Sequence, residues 1–208
     1  MIPANPQIPF RPQQIIDQRF PAYQLPYVGR LGPLPPAWES FPEKRPSAVL
    51  CLLIPSLTEP HASIVLTKRS TKVRTHKGQI GFPGGRAESE DHDPVATAVR
   101  ESWEEIGLDA EQLVIHGSLP WTRALDSHLV IPILASTIVD LSSLRANGEV
   151  DEIIPIPWSR FCHEEAQTFG FTMFGKRRES ILYQHQHYRV WGLTAKMLSD
   201  ADFQQAIK

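Results

Sequence analysis

Cysteine is scarce in this chain: Cys51 and Cys162 are the two thiols among 208 residues. Thiols so far apart build neither a disulfide framework nor a zinc-ligand spacing, so both read as buried groups in a reducing compartment. An excess of charge of one sign is also missing, since 21 Lys and Arg stand against 23 Asp and Glu for a formal net charge of −2. That balance leaves no electrostatic footprint for nucleic acid. No apolar run approaches the length of a membrane span, and residues 1–12 lack the basic-then-apolar order of a secretory leader. A cytoplasmic protein with no membrane or nucleic-acid partner is the expectation.

Proline, by contrast, is abundant and unevenly placed. Eleven of the nineteen lie at or before Pro46, and Pro3, Pro6, Pro9 and Pro12 recur at every third residue, as polyproline II allows. Such a segment forms neither long helices nor central strands. Yet it carries Phe10, Ile15, Ile16, Phe20, Tyr23, Leu25, Tyr27 and Trp38, too much apolar bulk for a flexible linker. Residues 1–45 therefore read as an arm laid over the domain or over a second subunit, which makes a homodimer plausible. Residues 46–208 form the main domain, and a hydrophobic content of 41% supports a sizeable core.

From Ala48 the pattern is that of an α/β domain. Ala48 to Ile54 and Ser63 to Thr67 are apolar, β-branched-rich runs that predict two core strands. Leu113 to Leu119 and Leu129 to Thr137 predict another pair, and Glu152 to Pro157 a short strand. Ser180 to Tyr183 and Tyr188 to Trp191 predict a hairpin turning at His185, Gln186 and His187. Helices are predicted over Ala96 to Ile106 and Leu193 to Ile207, the latter with Leu193, Met197, Leu198 and Phe203 as its apolar face. Strands interleaved with two helices suggest a sheet held between helical layers.

Chemistry concentrates in Arg100-Glu101-Ser102-Trp103-Glu104-Glu105-Ile106-Gly107. On a helix Glu101, Glu104 and Glu105 crowd one face within a turn, and each like-charge pair costs about 0.2–0.5 kcal/mol. A hard divalent cation reverses that sign. Magnesium prefers oxygen donors and commonly bridges carboxylates to substrate phosphates, so the cluster suits a phosphoryl or pyrophosphoryl site. The alternative is a merely solvated acidic face. Phe82-Pro83-Gly84-Gly85 upstream supplies glycines that let the backbone approach a ligand and offer a carbonyl to a metal. Arg100 can hold a carboxylate with its planar fork, and Gly107 reads as a helix stop.

These residues resemble the box of the Nudix hydrolases, which runs from a Gly through Arg-Glu to Glu-Glu and a closing Gly. The gap from Gly85 to Arg100 is one residue longer than usual, Ser102 stands where an apolar residue is general, and Asp91, Glu90 or Glu88 takes the first acidic position. A second motif, Leu66-Thr67-Lys68-Arg69-Ser70 followed by Arg74-Thr75-His76-Lys77-Gly78-Gln79-Ile80-Gly81, is similar to the signature of the coenzyme A pyrophosphatase branch. That branch shares the longer box. Asn147-Gly148-Glu149-Val150-Asp151-Glu152 and Trp191-Gly192-Leu193-Thr194-Ala195 are also similar to stretches of it, and the resemblance spans Pro46 to Ser199.

The resemblance implies an α/β/α sandwich with a mixed sheet and metal-dependent hydrolysis of coenzyme A or an acyl derivative. Mg2+ or Mn2+ would be held by Glu101 and Glu105, with Glu104 and a carbonyl of Gly84 or Gly85. Arg69, Arg74, His76 and Gln79 would meet substrate phosphates beside Gly84 and Gly85. Arg100 would order the carboxylates. The proton acceptor is open among Glu104, Glu149 and Glu152. Two other functions compete: a Nudix pyrophosphatase of ADP-ribose, nucleotide sugars or dinucleotides such as NAD, and a ligand-sensing domain without catalysis. The intact Glu cluster weighs against the second. Trp121, Trp158 and Trp191 read first as packing groups, with adenine stacking as the alternative. Lys176-Arg177-Arg178 reads as a solvated loop, with contact to an extra substrate phosphate as its alternative, and His185 and His187 as exposed.

Overall fold

The structure, a computed structural model, describes residues 13–14, 18–19, 25–42, 46–56, 61–73, 76–173 and 175–204. Strand β1 (Ser47–Ile54) sends Ala48, Leu50, Leu52 and Ile54 into one apolar cluster and Cys51 and Leu53 into another. Apolar on both faces, it must lie inside a covered sheet. β2 (Ser63–Arg69) pairs antiparallel with it. Two short strands follow: β3 (Ile80–Gly81) on β2 and β4 (Gly84–Arg86) on β1. Beyond helix α1 (Pro94–Ile106), β5 (Val114–Ser118) pairs antiparallel with β6 (Leu129–Ser136), and β6 runs parallel to β1. β7 (Val150–Pro157) closes the far edge on β2, giving the order β7-β2-β1-β6-β5. One parallel junction among antiparallel ones makes the sheet mixed, as expected.

Helix α1 covers the first face, where Ala98 and Ile106 join Leu50, Leu52, Ile131 and Ile133. Its ends are set locally. The Asp93 side chain accepts from the Ala96 amide at 2.8 Å, Pro94 opens the first turn, and Gly107 terminates it in the left-handed region at φ 68°. The second face is covered by a small antiparallel sheet of β8 (Gln167–Met173), β9 (Lys176–His185) and β10 (Tyr188–Trp191), then by helix α2 (Gly192–Ala201). Tyr183, Val190, Met197 and Leu198 pack there against Leu53, Ile64 and Ile154. The expected α/β/α layering is observed.

The described part of the Pro-rich arm is woven into both layers. Leu25, Val28 and Leu31 join one core cluster and Phe41 the other, while Gly32 exchanges backbone bonds with Ser118 at 2.8 and 3.2 Å. Trp38 donates its indole N–H to the Thr97 hydroxyl at 2.9 Å. Pro3, Pro6, Pro9, Pro12, Phe10, Ile15, Ile16, Phe20 and Tyr23 lie outside the described residues.

Three sequence expectations are corrected. The last helix stops at Ala201, because Asp202 turns left-handed at φ 56°, and Phe203 then pairs with Val28 in a two-residue strand. Lys176, Arg177 and Arg178 belong to β9 rather than to a loop. Their partner β8 was not expected at all, since Gln167 to Met173 carries neither a long apolar run nor a β-branched one and is held by its register with β9. Among the described residues no helix is long and apolar enough to cross a membrane.

Candidate active site

Three segments distant in sequence meet at the C-terminal end of α1. The first is the helix itself, which presents Arg100, Glu101, Glu104 and Glu105. The second is the 147–149 loop: the Asn147 amide N–H donates to Glu105 O at 3.1 Å, its side chain donates to Glu104 O at 2.6 Å, and its Oδ1 accepts from the Glu149 N–H at 2.8 Å. The third is the loop leaving β2, closed on itself by Gly78 N–H to Arg69 O and Arg69 N–H to Gln79 O, each at 2.9 Å. Ser70 N–H donates to Glu149 O at 2.8 Å and welds the second segment to the third.

A cleft of about 130 Å³ lies where they join, lined by Arg69, His76, Gln79, Gly84, Glu105 and Thr194, with Thr67, Ile80, Gly81, Phe82 and Val150 behind them. It is smaller than the ~300–1,000 Å³ of a whole-ligand pocket. A cleft of that size has room for one polar group rather than for a whole nucleotide. His76 and Gln79 hold each other, Nδ1 to Oε1 at 2.8 Å. Arg74 lies outside the described residues.

The carboxylates differ sharply in environment. Glu105 is 6% exposed and accepts from the Gly84 N–H at 3.1 Å, with Arg69 Nη1 at 3.7 Å. Burial, opposed by the Gly84 bond and reinforced by the Glu101 charge, pushes its carboxyl up to about 7. Glu101 is likewise raised by burial, against the pull of Arg100. Gly85 has no side chain for a structural reason, because a Cβ there would overlap the Glu101 carboxylate. Gly84, at φ 148°, passes too close to the Ala48 carbonyl for any other residue.

Arg100 organises the group. Its guanidinium reaches Asp91 at 2.9 Å, Glu101 at 3.1 Å, Glu104 at 3.1 Å and the Arg86 carbonyl at 3.0 Å. Asp91 is buried and also accepts from Thr97 Oγ1 at 2.9 Å and the Glu88 N–H at 3.0 Å. Burial alone would raise its carboxyl; the bonds from Arg100, Glu88 and Thr97 outweigh it and hold Asp91 below the usual range. Of the three acids proposed for this position, Asp91 is the one that faces Arg100 most directly. Ser102, fully buried, satisfies its hydroxyl on the Ala98 carbonyl at 2.7 Å.

A profile of the NUDIX domain matches residues 44–168. The chain belongs to the Nudix hydrolase family. Mitochondrial coenzyme A diphosphatase NUDT8 of Mus musculus is 34% identical over 158 residues, covering 73% of this chain and 74% of that protein. The uncharacterized Nudix hydrolase NudL of Photorhabdus laumondii is 30% identical over 148 residues, 71% of this chain and 79% of its own. A MutT/nudix family protein from Enterococcus faecalis superposes with a TM-score of 0.48 at 14% identity, covering 77% of this chain and 61% of that one.

Nudix hydrolases generally need divalent metal ions, and the donors here suit one. They are hard carboxylate oxygens, two with raised carboxyls, and the Glu101 carboxylate lies against Gly85. Among the described residues no three acidic, His or Cys side chains already converge on one point. Glu101 and Glu104 are turned to Arg100, and Glu105 to Gly84 and Arg69. Arg100 and Arg69 thus order the carboxylates that would hold a divalent ion.

The two distal acids separate. Glu149 is exposed and meets Nη2 of the cleft-lining Arg69 at 3.2 Å. Glu152 instead accepts from the Tyr188 hydroxyl and lies 4.0 Å from Lys68 Nζ. Thr194 is the residue that sequence reasoning missed. Its signal lay in the Trp191 to Ala195 stretch, which α2 turns toward Gly81. Trp158 is fully buried and Trp121 packs on Phe41, so both are core groups.

Proposed function

We propose that this Nudix hydrolase cleaves the pyrophosphate linkage of coenzyme A or an acyl-coenzyme A, releasing adenosine 3′,5′-bisphosphate and a phosphopantetheine. One observation carries the reading: Arg69, His76 and Gln79, from the signature that resembles the coenzyme A branch, line the same small cleft as Gly84 and Glu105. The likeness to a coenzyme A diphosphatase supports it. Glu101 and Glu105, with Glu104 and the Gly85 carbonyl, would hold Mg2+ or Mn2+, which when bound draws charge from the diphosphate and acidifies a water.

The chain's own groups do the rest. Arg69, whose Nε is buried without a partner among the described residues, turns its fork from Glu105 and Glu149 to diphosphate oxygens. His76 and Gln79 wall the opposite side, and Gly84 and Gly85 let the backbone approach. Arg100, braced by Asp91, keeps Glu101 and Glu104 in place. The proton of the attacking water passes to a Glu149 oxygen, which meets the cleft-lining Arg69, whereas Glu152 is engaged by Tyr188.

The test is a turnover screen of the purified protein with Mg2+ or Mn2+ against coenzyme A, ADP-ribose and NAD, with the products identified. Coenzyme A should be cleaved to adenosine 3′,5′-bisphosphate, and Glu101→Gln should abolish turnover while the protein stays folded. Inert coenzyme A beside a well-used ADP-ribose or NAD would overturn the substrate assignment.

A further inference from the structure

The diphosphate cleft leaves the outer face of the small sheet unused, and strand register decides what stands on it. β8 and β9 pair Phe169 with Ser180 and Phe171 with Arg178, while β9 and β10 pair Leu182 with Trp191 and Gln184 with Arg189. Paired residues share a face and alternate residues exchange faces. Phe169, Phe171, Arg178, Arg189 and Trp191 therefore stand together, whereas Ile181, Tyr183 and Val190 belong to the core side. Lys176, opposite Met173, shares the outer face. Glu179 falls on the other side, opposite Gly170, so the outer positions of these strands hold three cations and no carboxylate.

The rings form a cluster. Centroids lie 5.8 Å apart for Phe169 and Phe171, tilted by 33°, while Trp191 stands edge-on to both, 6.0 Å from Phe169 at 76° and 6.2 Å from Phe171 at 71°. The Arg189 guanidinium sits 6.0 Å from the Phe169 ring centre. Both Phe side chains are half-buried, Trp191 is 37% exposed, and Leu182, opposite Trp191, is buried. Among the described residues no carboxylate pairs with Arg178 or Arg189. The chain leads from this face to the cleft: Trp191 ends β10, and Thr194, on the first turn of α2, lines the cleft against Gly81.

We infer that this face binds the 3′-phosphoadenosine half of the substrate, with the purine stacked on the Trp191 ring beside Phe169 and Phe171 and the ribose phosphate between Arg178 and Arg189. The inference rests on the coenzyme A reading above. Aromatic faces stack any purine, and guanidinium forks bind a phosphate dianion more strongly than neutral donors do. Unopposed cations around the rings are the charge complement of a nucleotide and of no apolar partner. The small cleft then holds only the diphosphate, in keeping with its volume.

The experiment separates this inference from the reaction itself. Binding of adenosine 3′,5′-bisphosphate and of adenosine 5′-monophosphate is measured by dialysis and by quenching of tryptophan fluorescence, and turnover is compared on coenzyme A and dephospho-coenzyme A. The wild-type protein should favour the bisphosphate by about tenfold or more. Arg178→Ala with Arg189→Ala should erase that preference and lower kcat/KM for coenzyme A toward its value for dephospho-coenzyme A. Trp191→Phe should remove most of the quenching. Equal affinity for the two nucleotides, or a preference that survives the double Arg variant, overturns the inference even if coenzyme A is hydrolysed. Binding that behaves as expected beside inert coenzyme A supports the face and instead removes the hydrolytic reading. A Trp191→Glu variant that lowers the sedimentation coefficient would assign the face to a second copy of the chain, and the inference would fall.

Discussion

Replacing Asp91 by Asn tests the electrostatic design of the site through one atom. Asp91 has a side chain only 4% exposed and receives donors from Arg100 Nε at 3.0 Å, Arg100 Nη2 at 2.9 Å, Thr97 Oγ1 at 2.9 Å and the Glu88 N–H at 3.0 Å. Asn keeps one acceptor oxygen and turns the other into a donor, which must face a donor whichever way the amide lies. Breaking a buried ion pair from one side costs about 3–5 kcal/mol. Arg100 retains Glu101 and Glu104, each at 3.1 Å, so the lower end, about 3 kcal/mol, is expected. For a chain of this size that is a fall in Tm of roughly 6–12 °C. The acid limb offers a sharper readout. Because the folded state holds the Asp91 carboxyl below its ordinary value, its contribution is complete above the unfolded value of 3.8 and is lost as the pH falls through the lower folded one. Denaturant melts from pH 6 down to pH 3 should show part of the wild-type loss missing from Asp91→Asn. A variant within about 0.5 kcal/mol of wild type, or one with an unchanged acid limb, would refute the argument that Asp91 anchors Arg100.

Gly85→Ala places a methyl group on the Glu101 carboxylate, so turnover should fall about 100-fold with little change in far-UV circular dichroism. Glu149→Gln should lower kcat by at least about 100-fold, and Glu152→Gln, which only frees Tyr188, by less than about tenfold; steady-state kinetics that reverse this order would move the proton acceptor to Glu152. In EDTA the wild-type protein should lose stability as the pH rises from about 4.5 through about 7, because the folded state raises Glu105 to about 7 and ionisation then opposes folding. Glu105→Gln should lack that loss in melts at pH 5 and pH 8 while being inactive at both.

Much of the fold was legible because local rules governed it. β1 alternates apolar side chains between two clusters, and that pattern is visible as a continuous run from Ala48 to Ile54. Asp93, Pro94 and Gly107 set the ends of α1 with bonds that span only a few residues. Within that helix the spacing of Glu101, Glu104 and Glu105 follows from 3.6 residues per turn, so the acidic face could be read directly. The last helix was overextended because the pattern Leu193 to Phe203 is apolar at helical spacing, while the left-handed Asp202 that ends it is answered by β-pairing with Val28, far away in sequence.

What the sequence by itself determined is the chemistry available: three carboxylates on one helical turn, a glycine pair before them, and a cationic signature upstream. Tertiary structure decided which of those groups meet. Asp91, rather than Glu88 or Glu90, is the acid buried against Arg100 and Thr97. Glu149 and Glu152 are close in the chain, yet β7 gives one to Arg69 and the other to Tyr188. Thr194 reaches the cleft only because α2 folds back over β3. Spacing along one element fixes neighbours within a turn or a strand. Contacts between elements depend on how buried surfaces and registers close across the whole domain, and no local pattern carries that information.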